Sequence, residues 1–255
     1  MYSVTMPRKS ESIKGPSSSL RERAYSHIQQ LIASGGLESG SAISELQLAH
    51  TLGSSRTPIR EAMSRLAAQG LLEQSPGGGM VVAQVQREDI VELHELREAL
   101  ELYAVRKAAH QPMQDIERVR IQKTIEQIGE LTEELREGKK PVLNEAQMHR
   151  FLTADLGFHA LLVSFAHNSR LQKMISETRL LINVFSLKRR GHDIEKLQDI
   201  QRYHQSILDS VLHQDAEAAT KALGDHLAAS QRERLQEYDH SRREASLREH
   251  VPAIF

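Results

Sequence analysis

SELQLAHTLGSSRTPIREAMSRLAAQ, running from Ser44 to Gln69, is the stretch on which the reading of this chain turns. Ser44 is followed three positions later by Gln47, a capping-box pattern, and Leu46, Ala49 and Leu52 then recur at helical spacing. Gly53 breaks that helix. Ser55 or Thr57 caps the next one, and Pro58 falls in its first turn, where no amide donor is needed. Ile59, Ala62, Met63 and Leu66 face one way until Gly70. Two short amphipathic helices pinned by a glycine turn predict a helix-turn-helix. The start of its second helix gathers Ser55, Arg56, Thr57 and Arg60, short polar and guanidinium groups of the kind that reach DNA.

Outward from this core, Tyr25, Ile28, Leu31 and Ile32 predict a helix from Leu20 that closes at Ser34-Gly35-Gly36. On the other side, Leu71-Leu72-Glu73 and the run from Met80 to Val85 flank Ser75-Pro76-Gly77-Gly78-Gly79, two short strands around a glycine-rich tip. Three helices and a β-hairpin make a winged helix. Beyond Arg87 the pattern is helical throughout, with segments at 89–110, 114–137, 143–167, 170–190, 194–213 and 216–238 broken by Pro112, Gly138, Pro141, Asn168-Ser169, Gly191 and His213-Gln214-Asp215. Six helices with short connections predict an antiparallel all-α bundle. The fold class is mainly α, an N-terminal winged helix-turn-helix joined to a C-terminal helical bundle.

Composition supports this division. The 255 residues are long enough for two domains with separate cores, and Trp is absent while Phe and Tyr number 5 each, a balance that favours helices over an aromatic-rich sandwich. With no cysteine, a disulfide framework, a thiolate metal site and a cysteine nucleophile are excluded. The polar N-terminus has no signal-peptide core and no apolar run is long enough to span a bilayer, so a cytoplasmic protein with no membrane partner is expected. The formal net charge of -1 averages over unlike parts: residues 1–80 hold eight Arg and Lys against six Glu, a net of +2 that leaves -3 for the remainder. Any attraction to nucleic acid is therefore local to a helix face.

On that face, Ser55 and Thr57 suit phosphate contacts near the positive end of the helix dipole, and the planar forks of Arg56 and Arg60 match guanine O6 and N7. Arg65 lies one turn after Glu61 and is expected to pair with it. Within the bundle, Asp155 and His159 are four apart on one predicted helix, and His204 and His226 lie on two later ones. Three His and one carboxylate suit a divalent ion such as zinc, nickel or manganese. The spacing alone leaves the alternative of core histidines satisfied by neighbours, because Glu145 with His149 and Asp209 with His213 repeat it in a chain of 13 His.

The segments Gly36-Leu37-Glu38-Ser39-Gly40, Ser44-Glu45, Leu48-Ala49, Ser55-Arg56-Thr57-Pro58-Ile59-Arg60-Glu61-Ala62, Leu66 and Gly70-Leu71-Leu72 resemble the GntR family of bacterial transcription regulators. The helical part is similar to the FCD type of ligand domain in its FadR subfamily, and the resemblance spans about residues 20–240. It implies that Ser55, Arg56, Thr57 and Arg60 contact a double-stranded DNA operator and that Gly77 belongs to a wing tip entering the minor groove. The wing lacks the family's usual basic residue beside its glycines. Asp155-Leu-Gly-Phe-His159, His204-Gln-Ser-Ile-Leu and His226-Leu match the motif of metal-binding FCD proteins, which implies a divalent metal ion held by Asp155, His159, His204 and His226. Arg97 matches the position whose guanidinium pairs with an effector carboxylate; the alternative is a surface salt bridge to Glu101, one turn on.

These observations lead to the expectation of a ligand-responsive transcription regulator, a homodimer on an inverted-repeat operator, with a small organic acid as effector. The expected divisions are a disordered arm at 1–19, the winged helix-turn-helix at 20–86, an effector-binding and dimerisation domain at 87–240, and a flexible tail at 241–255. A metal-dependent hydrolase is the competing class, disfavoured because no general base stands out beside the proposed ligands. An effector-free dimeric DNA-binding protein is the third.

Overall fold

The computed structural model describes residues 19–33, 36–37, 39–184 and 191–249. Residues 1–18 of the expected arm, the Ser34-Gly35 helix end, residue 38, the segment 185–190 and the last six residues lie outside them. The winged helix comprises α1 (Leu20–Ala33), β1 (Ala42–Ile43), α2 (Glu45–Thr51), α3 (Arg56–Ala68), β2 (Leu72–Gln74) and β3 (Met80–Val82). The bundle comprises α4 (Arg87–Ala108), α5 (Asp115–Gly138), α6 (Glu145–Ser164), α7 (Ser169–Val184), α8 (Ile194–Leu212) and α9 (Ala216–Glu249).

Local chemistry accounts for most of the boundaries. The Ser44 hydroxyl accepts from the Gln47 amide at 3.2 Å, and Gly53, at φ +58°, takes the left-handed conformation that turns the chain from α2 toward α3. Reciprocal capping boxes open α4 at Gln86 and Asp89, α5 at Gln114 and Glu117, and α6 at Asn144 and Gln147. Gly191 lies against the backbone of Leu143, where a Cβ would collide with the carbonyl, and Leu143 donates its amide to His192 at 2.9 Å. The break read at Gly191 is thus a close approach of two connections.

The core of the winged helix is built from Ile28 and Ile32 of α1, Ile59, Met63 and Leu66 of α3, and Leu71, Leu72 and Val82 of the hairpin. Two clusters fill the bundle, one around Val105, Ile121, Phe158, Ile207 and Leu223, the other around Ile128, Leu131, Phe151 and Leu197. Charged residues of α4, α6 and α7 and histidines of α6, α8 and α9 meet beside them.

Several details differ from expectation. The sheet has three strands in the order β1-β3-β2, all antiparallel: Ala42 and Ile43 pair with Val81 and Met80, and β2 pairs with β3 through Leu72↔Val82. A two-residue strand is too short to show an alternation. The face of α2 is rotated, since Leu48 and Ala49 are buried and Leu46 is 62% exposed. α5 includes Gly138 and stops at Lys139, which adopts φ +49°. The tail expected to be flexible from residue 241 is helical to Glu249, because apolar periodicity ends near Tyr238 whereas the good helix formers continue, with His240 and Glu244 paired one turn apart at 2.8 Å.

Leu66 is fully buried where α1, α3 and the hairpin meet. Leu66→Ala is expected to cost ~2–5 kcal/mol in urea unfolding of the winged-helix transition. A loss well below that range would mean the helices do not share this core.

Candidate metal centre and nucleic-acid interface

On α3, Ser55, Arg56, Thr57 and Arg60 are all exposed along the first helical turns, and Gly77 is exposed in the turn between β2 and β3. Ser55 is the N-cap by its backbone, and its hydroxyl makes no capping bond. Arg60 is not free: Nε and Nη2 donate to the two carboxylate oxygens of Glu45 on α2, at 3.2 and 2.9 Å. That fork holds the Glu45 carboxyl below its usual range. The pairing expected between Arg65 and Glu61 is replaced by one across helices. Arg65 donates to Glu22 of α1 at 3.2 Å, and its guanidinium lies 4.0 Å over the Tyr25 ring, because α1 packs along α3. Arg65 is therefore held along α1 on the protein surface and is not paired with Glu61.

In the bundle, Asp155 and His159 stand one turn apart on α6, His204 on α8 and His226 on α9. One ligand atom from each lies within 4.8 Å of all the others. His159 Nε2 is 3.2 Å from His226 Nε2, and Asp155 Oδ1 is 3.5 Å from His204 Nε2 and 3.8 Å from His159 Nε2. The three rings are buried, and His204 stacks on Phe158 at 3.8 Å between centroids. Neither ring nitrogen of His204 has a hydrogen-bond partner.

A shell of charge surrounds the four. His159 Nδ1 donates to Glu101 Oε2 at 2.8 Å, an arrangement that fixes the tautomer and leaves Nε2 with its lone pair toward the cluster. Arg97 Nε donates to Glu101 Oε1 at 2.9 Å and its Nη2 reaches His159 Nε2 at 3.4 Å. The expected surface bridge between Arg97 and Glu101 is in fact buried, with side chains only 5% and 0% exposed. Arg179 of α7, which sequence reasoning missed, donates to Asp155 Oδ2 at 3.3 Å and carries a second nitrogen, Nη1, without a hydrogen-bond partner. Its signal was available: Ile175, Arg179 and Ile182 recur at helical spacing on the buried face of α7, so an arginine occupies a core position. Glu101 was recognised only as a partner for Arg97.

Electrostatics favours ligation. Burial works against charge on Asp155, but the His204 ring and the Arg179 guanidinium outweigh it and hold the carboxyl well below the usual range. Burial pushes His204 down despite Asp155, and burial with the neighbouring His204 pushes His226 well down. Burial, reinforced by Arg97 and opposed by Glu101 and Asp155, lowers Arg179 to about 10, so it stays cationic at neutral pH. At pH 7 the set therefore offers the Asp155 carboxylate with His204 and His226 neutral, the state in which a carboxylate and imidazoles ligate a divalent cation. A cavity of about 230 Å3 opens beside it, lined by Asp155 and His226 together with Arg97, Arg179, Lys196 and Tyr203.

Comparison with known proteins agrees with this architecture. The FCD domain model matches residues 92–229, and the model described as bacterial regulatory proteins, gntR family, matches residues 20–82. The chain belongs to the GntR family, as a transcriptional regulator with an FCD domain. It is 34% identical over 198 residues to a probable D-xylose utilization operon transcriptional repressor of Paenarthrobacter nicotinovorans, covering 78% of this chain and 81% of that protein. It is 29% identical over 195 residues to the HTH-type transcriptional regulator YdhC of Bacillus subtilis, covering 76% and 82%. Among solved structures, E. coli McbR/YncC superimposes with a TM-score of 0.69 at 20% identity, over 87% of this chain and all of that one, a likeness of fold. The family and these relatives are transcriptional regulators, not enzymes, which sets the hydrolase reading aside. No helix among the described residues is long and apolar enough to cross a membrane.

Because His94, His204 and His226 are all held below the ordinary histidine value, the unfolded chain binds more protons than the folded one once the pH falls below ~6.5. Stability of the protein in EDTA is expected to be full above that value. It should fall with decreasing pH by up to ~1.4 kcal/mol per unit for each such histidine, continuing for His94 toward about 3. Thermal unfolding from pH 8 to 5 reads this directly. A Tm that stays level until carboxylates titrate near pH 4 would contradict the burial of neutral imidazoles.

Proposed function

We propose that this regulator is ligand-responsive and acts as a homodimer on an inverted-repeat operator, in the cytoplasm, with a metal-assisted site for a small organic acid in its bundle. Asp155, His159, His204 and His226 would hold a divalent ion, zinc, nickel or manganese. The observation that carries the metal reading is His204: two buried nitrogens without a hydrogen bond, Nε2 standing 3.5 Å from the Asp155 carboxylate and within reach of two further imidazoles. Leaving such groups unsatisfied costs ~1–3 kcal/mol each, a cost removed when an ion completes the set. Bound there, the ion would supply a Lewis-acidic docking point for a ligand oxygen.

The protein's own groups do the rest. Glu101 orients His159, and Arg179, which lines the cavity, holds Asp155 through Nη2 while its buried Nη1 stands 3.7 Å from Glu101. Arg97 lines the same wall and would pair with a ligand carboxylate. At the other end of the chain, Ser55 and Thr57 take the role of phosphate contacts, Arg56 and Arg60 that of base readers, and Gly77 that of a wing-tip contact. Glu45 fixes the Arg60 fork before DNA arrives, which lowers the entropy lost on binding. Two heads linked by dimerisation bind far more tightly than one, so a change in their separation switches operator occupancy.

Metal analysis of the purified protein tests the first part: about one equivalent of divalent ion per chain is expected, and His204→Ala, which removes one of the four proposed ligands, should lower metal affinity at least tenfold. Calorimetry of the metal-loaded protein against a panel of carboxylic acids should show binding that Arg97→Ala weakens, whereas unchanged affinity across the panel removes Arg97 from the site. For DNA, Arg56→Ala should cost ~1–3 kcal/mol in binding to fragments selected from genomic DNA and relax selectivity at one base. Retention of full selectivity would exclude Arg56 as a reader.

A further inference from the structure

A second cavity, of about 340 Å3, lies where the winged helix meets the bundle. One wall is Ser39 and the connecting segment 84–86 between β3 and α4; the other comes from α4, α7 and α9. Its volume falls in the range of small-molecule sites. His94 of α4 lines it, only 3% exposed, and neither of its ring nitrogens has a hydrogen-bond partner. A buried imidazole with both nitrogens unsatisfied is costly, and folding gains nothing evident from placing it there. Burial, with the charges of Arg97 and Arg234, pushes His94 down to about 3, so the neutral ring offers one N–H donor and one bare acceptor.

The rest of the lining is amphipathic. Ile90, Leu93 and Tyr238 supply apolar surface, and Arg242 is exposed on α9 at the rim. Arg234, which also lines the cavity, is buried and donates Nη1 to Glu237 at 2.5 Å, so among the described lining residues Arg242 is the exposed cation an incoming anion meets.

We infer that this junction cavity is a second small-molecule site, for an amphipathic carboxylate whose hydroxyl or carbonyl group bonds the His94 ring, whose body packs on Ile90, Leu93 and Tyr238, and whose carboxylate meets Arg242. It is separate from the metal-side cavity, with which it shares only Ile182 and Arg234 as a common wall. Its ligand would rest on the 84–86 segment that sets the winged helix against the bundle, and so bear on the orientation of the DNA-reading head.

Full-length protein in EDTA, so that the outcome does not depend on the metal reading, is titrated with 8-anilinonaphthalene-1-sulfonate and the dye is then displaced with 4-hydroxyphenylacetate. One saturable dye site per chain is expected. Arg242→Glu, on the exposed rim and remote from the core, should weaken the dye at least tenfold. His94→Phe, which removes both nitrogens while keeping an aromatic ring, should weaken 4-hydroxyphenylacetate at least tenfold. Lys196→Ala, which lines only the metal-side cavity of the two, should leave both affinities unchanged. The proposal is overturned by absence of saturable dye binding, by an Arg242→Glu variant that binds as wild type, or by a loss in Lys196→Ala equal to that in Arg242→Glu. If His94→Phe fails to fold by circular dichroism, the Arg242→Glu and Lys196→Ala pair still decides the matter.

Discussion

A single buried carboxylate, that of Glu101, organises the centre of the bundle. Its side chain is inaccessible to solvent, and an isolated charge there would cost several kcal/mol. It is tolerated because one oxygen accepts from Arg97 at 2.9 Å and lies 3.7 Å from Arg179, while the other accepts from His159 at 2.8 Å. Each of those partners is thereby fixed for a second purpose. His159 has its Nε2 aimed at the other imidazoles, Arg179 clamps Asp155, and Arg97 is held at the cavity wall. Removing Glu101 would leave two buried guanidiniums competing for Asp155 alone.

The same helix links this centre to the other domain. α4 begins at Arg87, a few residues after β3 ends, and carries in order Ile90 and His94 at the junction, then Arg97 and Glu101 at the centre. At 22 residues it spans about 33 Å as a rigid rod. Its contacts with α6, α7 and α9 mean that a displacement at the charged centre is shared among helices and not absorbed locally. Arg234 of α9 lines both cavities, and Leu181 of α7 packs on the winged-helix core, so three elements connect the two domains physically.

Much of the fold was legible because its signals are local. Capping residues, glycine turns and apolar spacing act within a few positions, so α2, α3 and the bundle helices appear close to where periodicity places them. What escaped were features whose cause is distant in sequence. β1 exists only because β3 offers it an edge. Arg65 leaves its neighbour Glu61 for Glu22 and Tyr25, which α1 brings across it. Leu46 turns outward because the core is reached through Leu48 and Ala49. The four candidate ligands were legible as residues through their match to a known motif; the spacing of Ile175, Arg179 and Ile182 could have placed Arg179 on a buried face, but nothing in a linear string says that it meets an aspartate on another helix or that Glu101 joins Arg97 to His159.

By itself, then, the order of residues determined which segments become helices, where most of them start, and which side chains have the chemistry to read DNA or hold an ion, because those properties depend on neighbours within one or two turns. Tertiary structure alone decided that Asp155, His159, His204 and His226 converge, that Arg97 pairs with Glu101 out of reach of water, and that His94 is left with two unanswered nitrogens. The reason is that desolvation and pairing of charge are set by what packs against a group, and the packing partners here lie as many as 70 or more residues away along the chain.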